Sequence, residues 1–129
     1  MERLGFAGGM VVQEFGYDED VADAFRFAVE DACGSELEDE DYTGPADAVL
    51  LWWRDGDGDL TDVLVDMVTV LDDGGFVVLL TPRGAGEVDA SEVDEAAETA
   101  GLHSSGACTL DEDWRAVRLV SPKSRGRRP

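Results

Sequence analysis

ADAVLLWWRDGDGDLTDVLVDMVTVLDDGGFVVLL, residues 46–80, is the stretch that decides the fold. It holds two apolar runs, Val49–Trp53 and Phe76–Leu80, and neither contains a polar break. A strand with one wet face alternates polar and apolar residues, so unbroken runs imply strands covered on both faces, as in a parallel sheet. Between them Leu60, Val63, Leu64, Met67, Val68 and Leu71 recur at spacings of three and four, which gives a helix one apolar face. The turn Asp55-Gly56-Asp57-Gly58-Asp59 precedes that helix, with Asp57 or Asp59 as its cap, and Asp73-Gly74-Gly75 ends it. The unit is strand, helix, strand, and such crossovers are right-handed.

The same alternation extends in both directions. Upstream, Met10 to Phe15 is a strand pattern after the turn signal Gly8-Gly9. Gly16-Tyr17-Asp18-Glu19-Asp20 leads into a helix whose inner face is Val21, Ala24, Phe25, Ala28, Val29 and Ala32, with Gly34 as its C-cap. Asp18, Glu19 and Asp20 suit the positive end of that helix dipole. Residues 35–46 are acidic, include Gly44-Pro45 and read as a loop. Downstream, Thr81-Pro82 stops the second run, and a loop with Gly84 and Gly86 follows. Ser91 is the expected cap of a third helix, with Asp94 in the capping-box position and Val93, Ala96, Ala97 and Ala100 inside. Ser105–Leu110 and Ala116–Val120 form a hairpin around Asp111–Trp114. The order β-α-β-α-β-α-β-β is that of an α/β domain.

Composition limits what such a domain does. The 129 residues suit one domain, expected over 1–122, and 43% are apolar, enough for a core. The net charge is −20. Lys123, Arg125, Arg127 and Arg128 sit in the last seven residues, so residues 1–122 set six basic side chains against thirty acidic ones, a formal charge of −24. That body repels nucleic acid and anionic membranes and suits basic partners, metal ions or the chain's own basic tail. The basic tail at 123–129 is expected to be disordered. Residues 1–10 lack the basic and apolar regions of a secretory signal, and no apolar stretch approaches a membrane span, which points to the cytoplasm. Cys33 and Cys108 are read as small buried hydrophobes rather than a disulfide.

Asp47 to Pro122 resembles the second half of a class I methyltransferase: strand, helix, Gly-Gly turn into a strand, helix, antiparallel hairpin. The resemblance implies a three-layer Rossmann-like domain with about five strands, mostly parallel, in the order 1-2-3-5-4. That family's first strand ends in an acidic-x-Gly-x-Gly-x-Gly loop that meets adenosylmethionine. Here Glu14-Phe15-Gly16 begins the pattern, but Tyr17-Asp18-Glu19-Asp20 adds acids and no glycine, and the next two strands do not fit between Gly34 and Asp47. No cofactor residue is carried over, and no cofactor is expected. Losing two strands would leave the first strand as an open edge, paired in a homodimer or covered by residues 1–9. Almost the whole chain resembles an actinobacterial domain-of-unknown-function family, number 3052 of that series. The resemblance runs through Leu4-Gly5-Phe6, Gly16-Tyr17-Asp18-Glu19-Asp20-Val21, Asp47 to Arg54, Asp57-Gly58-Asp59-Leu60 and Thr99-Ala100-Gly101-Leu102. It implies a small cytoplasmic protein and brings no activity. Arg83 stands where that family usually has Lys.

The candidate ligand residues are those that an α/β sheet places at the carboxyl ends of its strands: Glu14, Gly16 and Tyr17, then Trp53 and Arg54, then Thr81 and Arg83. Arg54 and Arg83 beside aromatic rings suit a small anion, but salt bridges to nearby acids are the competing role for both. Asp55, Asp57, Asp59 and Asp66 imitate a calcium loop, but Leu60 occupies its required glycine position. His103 is the single histidine and no nucleophile elbow is present, so no catalytic residue is named. The expected function is a non-catalytic binding or regulatory module on a degenerate methyltransferase-like fold, working through a protein partner. The alternative is an enzyme or sensor for an anionic small molecule at the strand ends.

Overall fold

The computed structural model describes residues 4–84 and 88–121. The elements are β1 (Val12–Phe15), α1 (Asp23–Cys33), β2 (Ala46–Trp52), α2 (Leu60–Val70), β3 (Leu71–Pro82), α3 (Ala90–Thr99), β4 (His103–Thr109) and β5 (Trp114–Val120). They form one five-stranded sheet in the order β1-β2-β3-β5-β4, as expected. β1, β2 and β3 are parallel, and β5 runs antiparallel to both β3 and β4. The expectations for Gly86 and for the tail at 123–129 lie outside the described residues.

The unbroken runs are explained by the two layers they serve. Ala48, Leu50 and Trp52 of β2 and Phe76, Val78 and Leu80 of β3 face α1, where Phe25, Val29 and Cys33 meet them. The alternate residues, Val49, Leu51, Val77 and Leu79, face Leu64 and Met67 of α2 and Val93, Ala96 and Ala97 of α3. Each fully buried aliphatic side chain contributes about 1.5–3 kcal/mol, so both faces of the central strands stabilise the fold.

Local chemistry sets the element ends. Gly34 closes α1 in the left-handed conformation, its N–H bonded to the Glu30 carbonyl at 2.8 Å. Asp59 caps α2 by accepting the Asp62 N–H at 3.2 Å. Two expectations are corrected. The α3 cap is Asp89, which accepts the Ser91 N–H at 3.1 Å, because a carboxylate one residue ahead of the helix reaches its free donors better than a hydroxyl inside it. Gly74 and Gly75 lie within β3 rather than between helix and strand. The pairing of β2 with β3 shifts from Ala46↔Leu71 to Ala48↔Phe76, and a side chain at Gly75 would press on the Asp47 carbonyl oxygen.

The third correction concerns the edge. β1 is not open: Glu38 accepts from the Glu14 N–H and donates to the Val12 carbonyl, both at 2.8 Å. Gln13 Nε2 donates to the carbonyls of Asp39 (3.0 Å) and Tyr42 (2.9 Å). The acidic stretch read as a loop is therefore the edge cover. Leu4 and Phe6 instead pack on the α1 face, with the Phe6 ring 5.4 Å from Phe76. The uncovered edge among the described residues is β4, at the other end of the sheet. Replacing Glu38 by Pro removes the donor to Val12 and is expected to cost about 1–3 kcal/mol. Amide exchange at Glu14 should accelerate with it; unchanged exchange there would show that residues 37–42 do not seal β1.

Candidate functional site

Glu14 lies near the end of β1 and is 6% exposed. A carboxylate buried beside aromatic rings is costly unless donors surround it. Three do: Arg26 Nε at 2.6 Å, Arg26 Nη2 at 2.8 Å and the Trp52 indole Nε1 at 2.8 Å. Arg26 comes from α1 and also reaches Asp23 at 3.2 Å. Its guanidinium lies 4.6 Å from the centre of the half-exposed Tyr17 ring. The hydrogen bonds to Glu14 hold the Arg26 proton more tightly than usual, against the opposing effect of burial.

The chain then turns at Gly16, in the left-handed conformation (φ 80°), where any Cβ would collide with the Trp52 carbonyl oxygen. Only glycine fits there. Arg54, two residues past β2, closes over this turn. Its Nη1 donates to the Gly16 carbonyl at 2.9 Å, and its Nε and Nη2 grip Asp20 at 3.0 and 2.6 Å. The guanidinium lies 5.3 Å from the centre of the Trp114 ring, and Trp114 Nε1 donates to the Asp20 carbonyl at 3.0 Å. From the other side Glu40 accepts the Gly16 N–H at 2.9 Å. Residues 16–20 are thus tied to β2, β5 and the edge cover. The hydrogen bond from Arg54 holds the Asp20 carboxyl below the usual carboxylate range, and Asp20 in turn raises Arg54.

Glu14, Gly16, Tyr17 and Arg54 therefore come together, but as an internal network. The other three expected residues go elsewhere. Trp53 packs on the α2 face. Thr81 is buried and lines a small pocket beneath α3. Arg83 donates through Nη1 to the Asp111 carbonyl at 2.7 Å, and its N–H to the Asp113 carbonyl at 2.8 Å, which fastens the β4–β5 turn. The two arginines do not converge on one anion pocket. Arg83 borders instead an open depression of about 400 Å³ with Thr109, Glu112 and Arg115. An acidic cleft of about 540 Å³ lies between Asp59 at the start of α2 and Glu92, Glu95 and Glu98 of α3. Asp57 accepts the Arg54 N–H at 2.9 Å, and no group of three metal-ligating side chains is assembled among the described residues. Sequence reasoning missed Arg26, Trp52, Asp20 and Trp114, which hold the site together.

A family model described as "Protein of unknown function (DUF3052)" matches residues 1–123. The uncharacterised protein Rv2239c of Mycobacterium tuberculosis is 48% identical over 125 residues, covering 95% of this chain and 78% of that protein. Solved methyltransferases share the fold at low identity. A putative methyltransferase from Thermoplasma acidophilum has a TM-score of 0.64 at 9% identity, covering 91% of this chain and 70% of its own. A precorrin-6y C5,15-methyltransferase from Geobacter metallireducens has a TM-score of 0.65 at 9% identity, covering 93% and 84%. At such identities the likeness concerns the fold.

Two outcomes follow from the network. Glu14→Ala leaves Arg26 and the Trp52 indole without their buried acceptor and is expected to cost about 3–5 kcal/mol, read as a lower denaturant midpoint. A loss below ~1 kcal/mol would show that the carboxylate is dispensable. The Asp20 carboxyl titrates lower in the folded chain than in the unfolded one, so its stabilisation is present above about pH 4 and is lost as pH falls through the depressed value. The stability difference between wild type and Asp20→Asn should accordingly be flat above about pH 5 and shrink in stronger acid. A difference that grows on acidification would reverse the assignment.

Proposed function

The chain belongs to the DUF3052 family of unknown function, and from that premise we propose that it acts by binding a protein rather than by turnover. It is a non-catalytic binding or regulatory module on a methyltransferase-like fold. The observation that carries this is Arg54. In an α/β sheet the carboxyl end of the first strand is where a ligand sits, and here Arg54 fills that position, bonded to the Gly16 carbonyl and paired with Asp20. Glu14, which stands where the methyltransferase loop pattern begins, is bonded by Arg26 and Trp52. The segment that replaces the two missing strands, 37–42, supports the same reading, because it covers the β1 edge and places Glu40 on the loop backbone. The acidic surface favours a basic protein segment over nucleic acid or an anionic membrane. A second reading, an enzyme or sensor for an anionic small molecule, has support at the depression beside Arg83 and Arg115.

A ligand that binds the folded chain stabilises it by mass action, by about 2.7 kcal/mol at a hundredfold excess over its dissociation constant. Millimolar adenosylmethionine or adenosylhomocysteine is expected to leave the melting temperature unchanged. A saturable rise of several degrees that Arg54→Ala alters would overturn the module reading. A shift with small organic anions that Arg83→Ala abolishes would favour the second.

A further inference from the structure

The seven residues of β4, His103-Ser104-Ser105-Gly106-Ala107-Cys108-Thr109, form the uncovered edge of the sheet among the described residues. Edge strands expose a row of unpaired N–H and C=O groups, and proteins guard them with charges, proline or a cover. At the other edge this chain does so: β1 is sealed by residues 37–42. Among the described residues β4 has none of these three guards. In a chain with thirty acids it contains no Asp, Glu, Lys, Arg or Pro, and six of its seven residues are exposed. Its one protective feature is a bulge-like shift in the β5 pairing between Ser104 and Gly106. Ser105 accepts from Arg118 Nη1 at 2.8 Å, whereas Ser104 and Ala107 line the side toward α3.

A pocket of about 100 Å³ lies on that side, between the sheet and α3. Its exposed members are Ser104 and Ala107 on β4 and Ala90 and Asp94 on α3, over the buried Thr81, and the half-buried Arg115 of β5 lines it as well. An open edge beside a small pocket is the arrangement by which sheets capture extended peptides: main-chain bonds give affinity, and a pocket for alternate side chains gives specificity. We propose that β4 takes an extended segment of a partner protein as a sixth strand, with one small side chain, the size of Ala, Thr or Val, in the α3 pocket and basic side chains flanking it. The volume sets the size of the inserted group. Asp94 at the rim and the net charge of −20 set the sign of the flanks. The same negative charge disfavours a second copy of this chain, since a twofold pairing of β4 strands brings two α3 helices and their like charges together. This occupant rests on the reading of the chain as a protein-binding module, and it names the surface.

The test is an array of short synthetic peptides alternating Thr and Val, with the central residue varied among Ala, Val, Leu, Trp and Glu and the flanks either Arg or Glu. Binding of the full-length chain is measured by fluorescence polarisation, with backbone amide exchange read by NMR. Arg-flanked peptides with Ala or Val at the centre should bind and slow exchange in β4, and Trp-centred or Glu-flanked ones should not. Ala107→Asp, at an exposed position, should weaken binding by about tenfold or more at an unchanged melting temperature. Asp94→Lys should reverse the preference for Arg flanks and serves if the first variant folds poorly. The inference falls if no peptide binds wild type more tightly than Ala107→Asp. It also falls if β4 amides become protected with rising protein concentration and dimer formation, since the occupant is then a second copy. Peptide binding accompanied by an adenosylmethionine shift would leave the edge site standing and remove the non-catalytic reading, so the two failures are distinct.

Discussion

The structure depends on one buried carboxylate. A carboxylate buried beneath α1 needs donors, and those of Glu14 come from α1 (Arg26) and β2 (Trp52). Satisfying it fixes how the helix sits on the sheet and how the Trp52 ring is turned. Trp52 then meets Trp114 at 4.9 Å, edge to face, and Trp114 holds the Asp20 carbonyl. A chain of contacts that begins with a desolvation problem at the end of β1 thus positions the loop after it and the far hairpin. Such coupled polar networks favour one arrangement, because half-satisfying them is worse than burying none of them.

Arg54 works on the outer side of the same loop. It joins the Gly16 carbonyl, Asp20 and the Trp114 ring. Together with Glu40 it fills the mouth of the sheet with protein groups. The truncated strand order has a parallel consequence at the edge, where backbone of residues 37–42 stands in for a strand and satisfies the β1 groups that would otherwise face water. The result is a methyltransferase-like sheet in which protein groups fill the carboxyl ends of β1 and β2, with β4 as the uncovered edge among the described residues.

The layered fold was legible because its cause is local. Val49–Trp53 and Phe76–Leu80 are uninterrupted since both faces of those strands are buried, and the helical spacing of Leu60, Leu64 and Met67 matches the face that meets them. The strand order followed from the resemblance to a known sheet. The edge cover was not legible: Glu38 to Tyr42 joins through main chain, and its acidic, turn-rich side chains carry no strand period. Asp89 and Ser91 are both capping residues two positions apart, and composition does not choose between them. The partners of Arg54 and Glu14 were hidden for another reason. With thirty acids any arginine has many candidate mates, and Trp52 reaches Glu14 across 38 positions. Arg26 sits in a helix and gave no signal beyond its charge. Glu14, Gly16, Tyr17 and Arg54 lie together around the Gly16 turn, whereas Trp53, Thr81 and Arg83 belong to the opposite face, the α3 pocket and the hairpin.

The central claim is that the ligand end of the sheet is closed by the chain's own hydrogen bonds. It is tested most directly by NMR of the arginine Nε–H and tryptophan indole N–H groups. The account predicts resolved, slowly exchanging signals for Arg26, Arg54, Trp52 and Trp114, unmoved by millimolar adenosylhomocysteine. Arginine signals that exchange as fast as those of free arginine, or that shift saturably with the nucleoside, would contradict it.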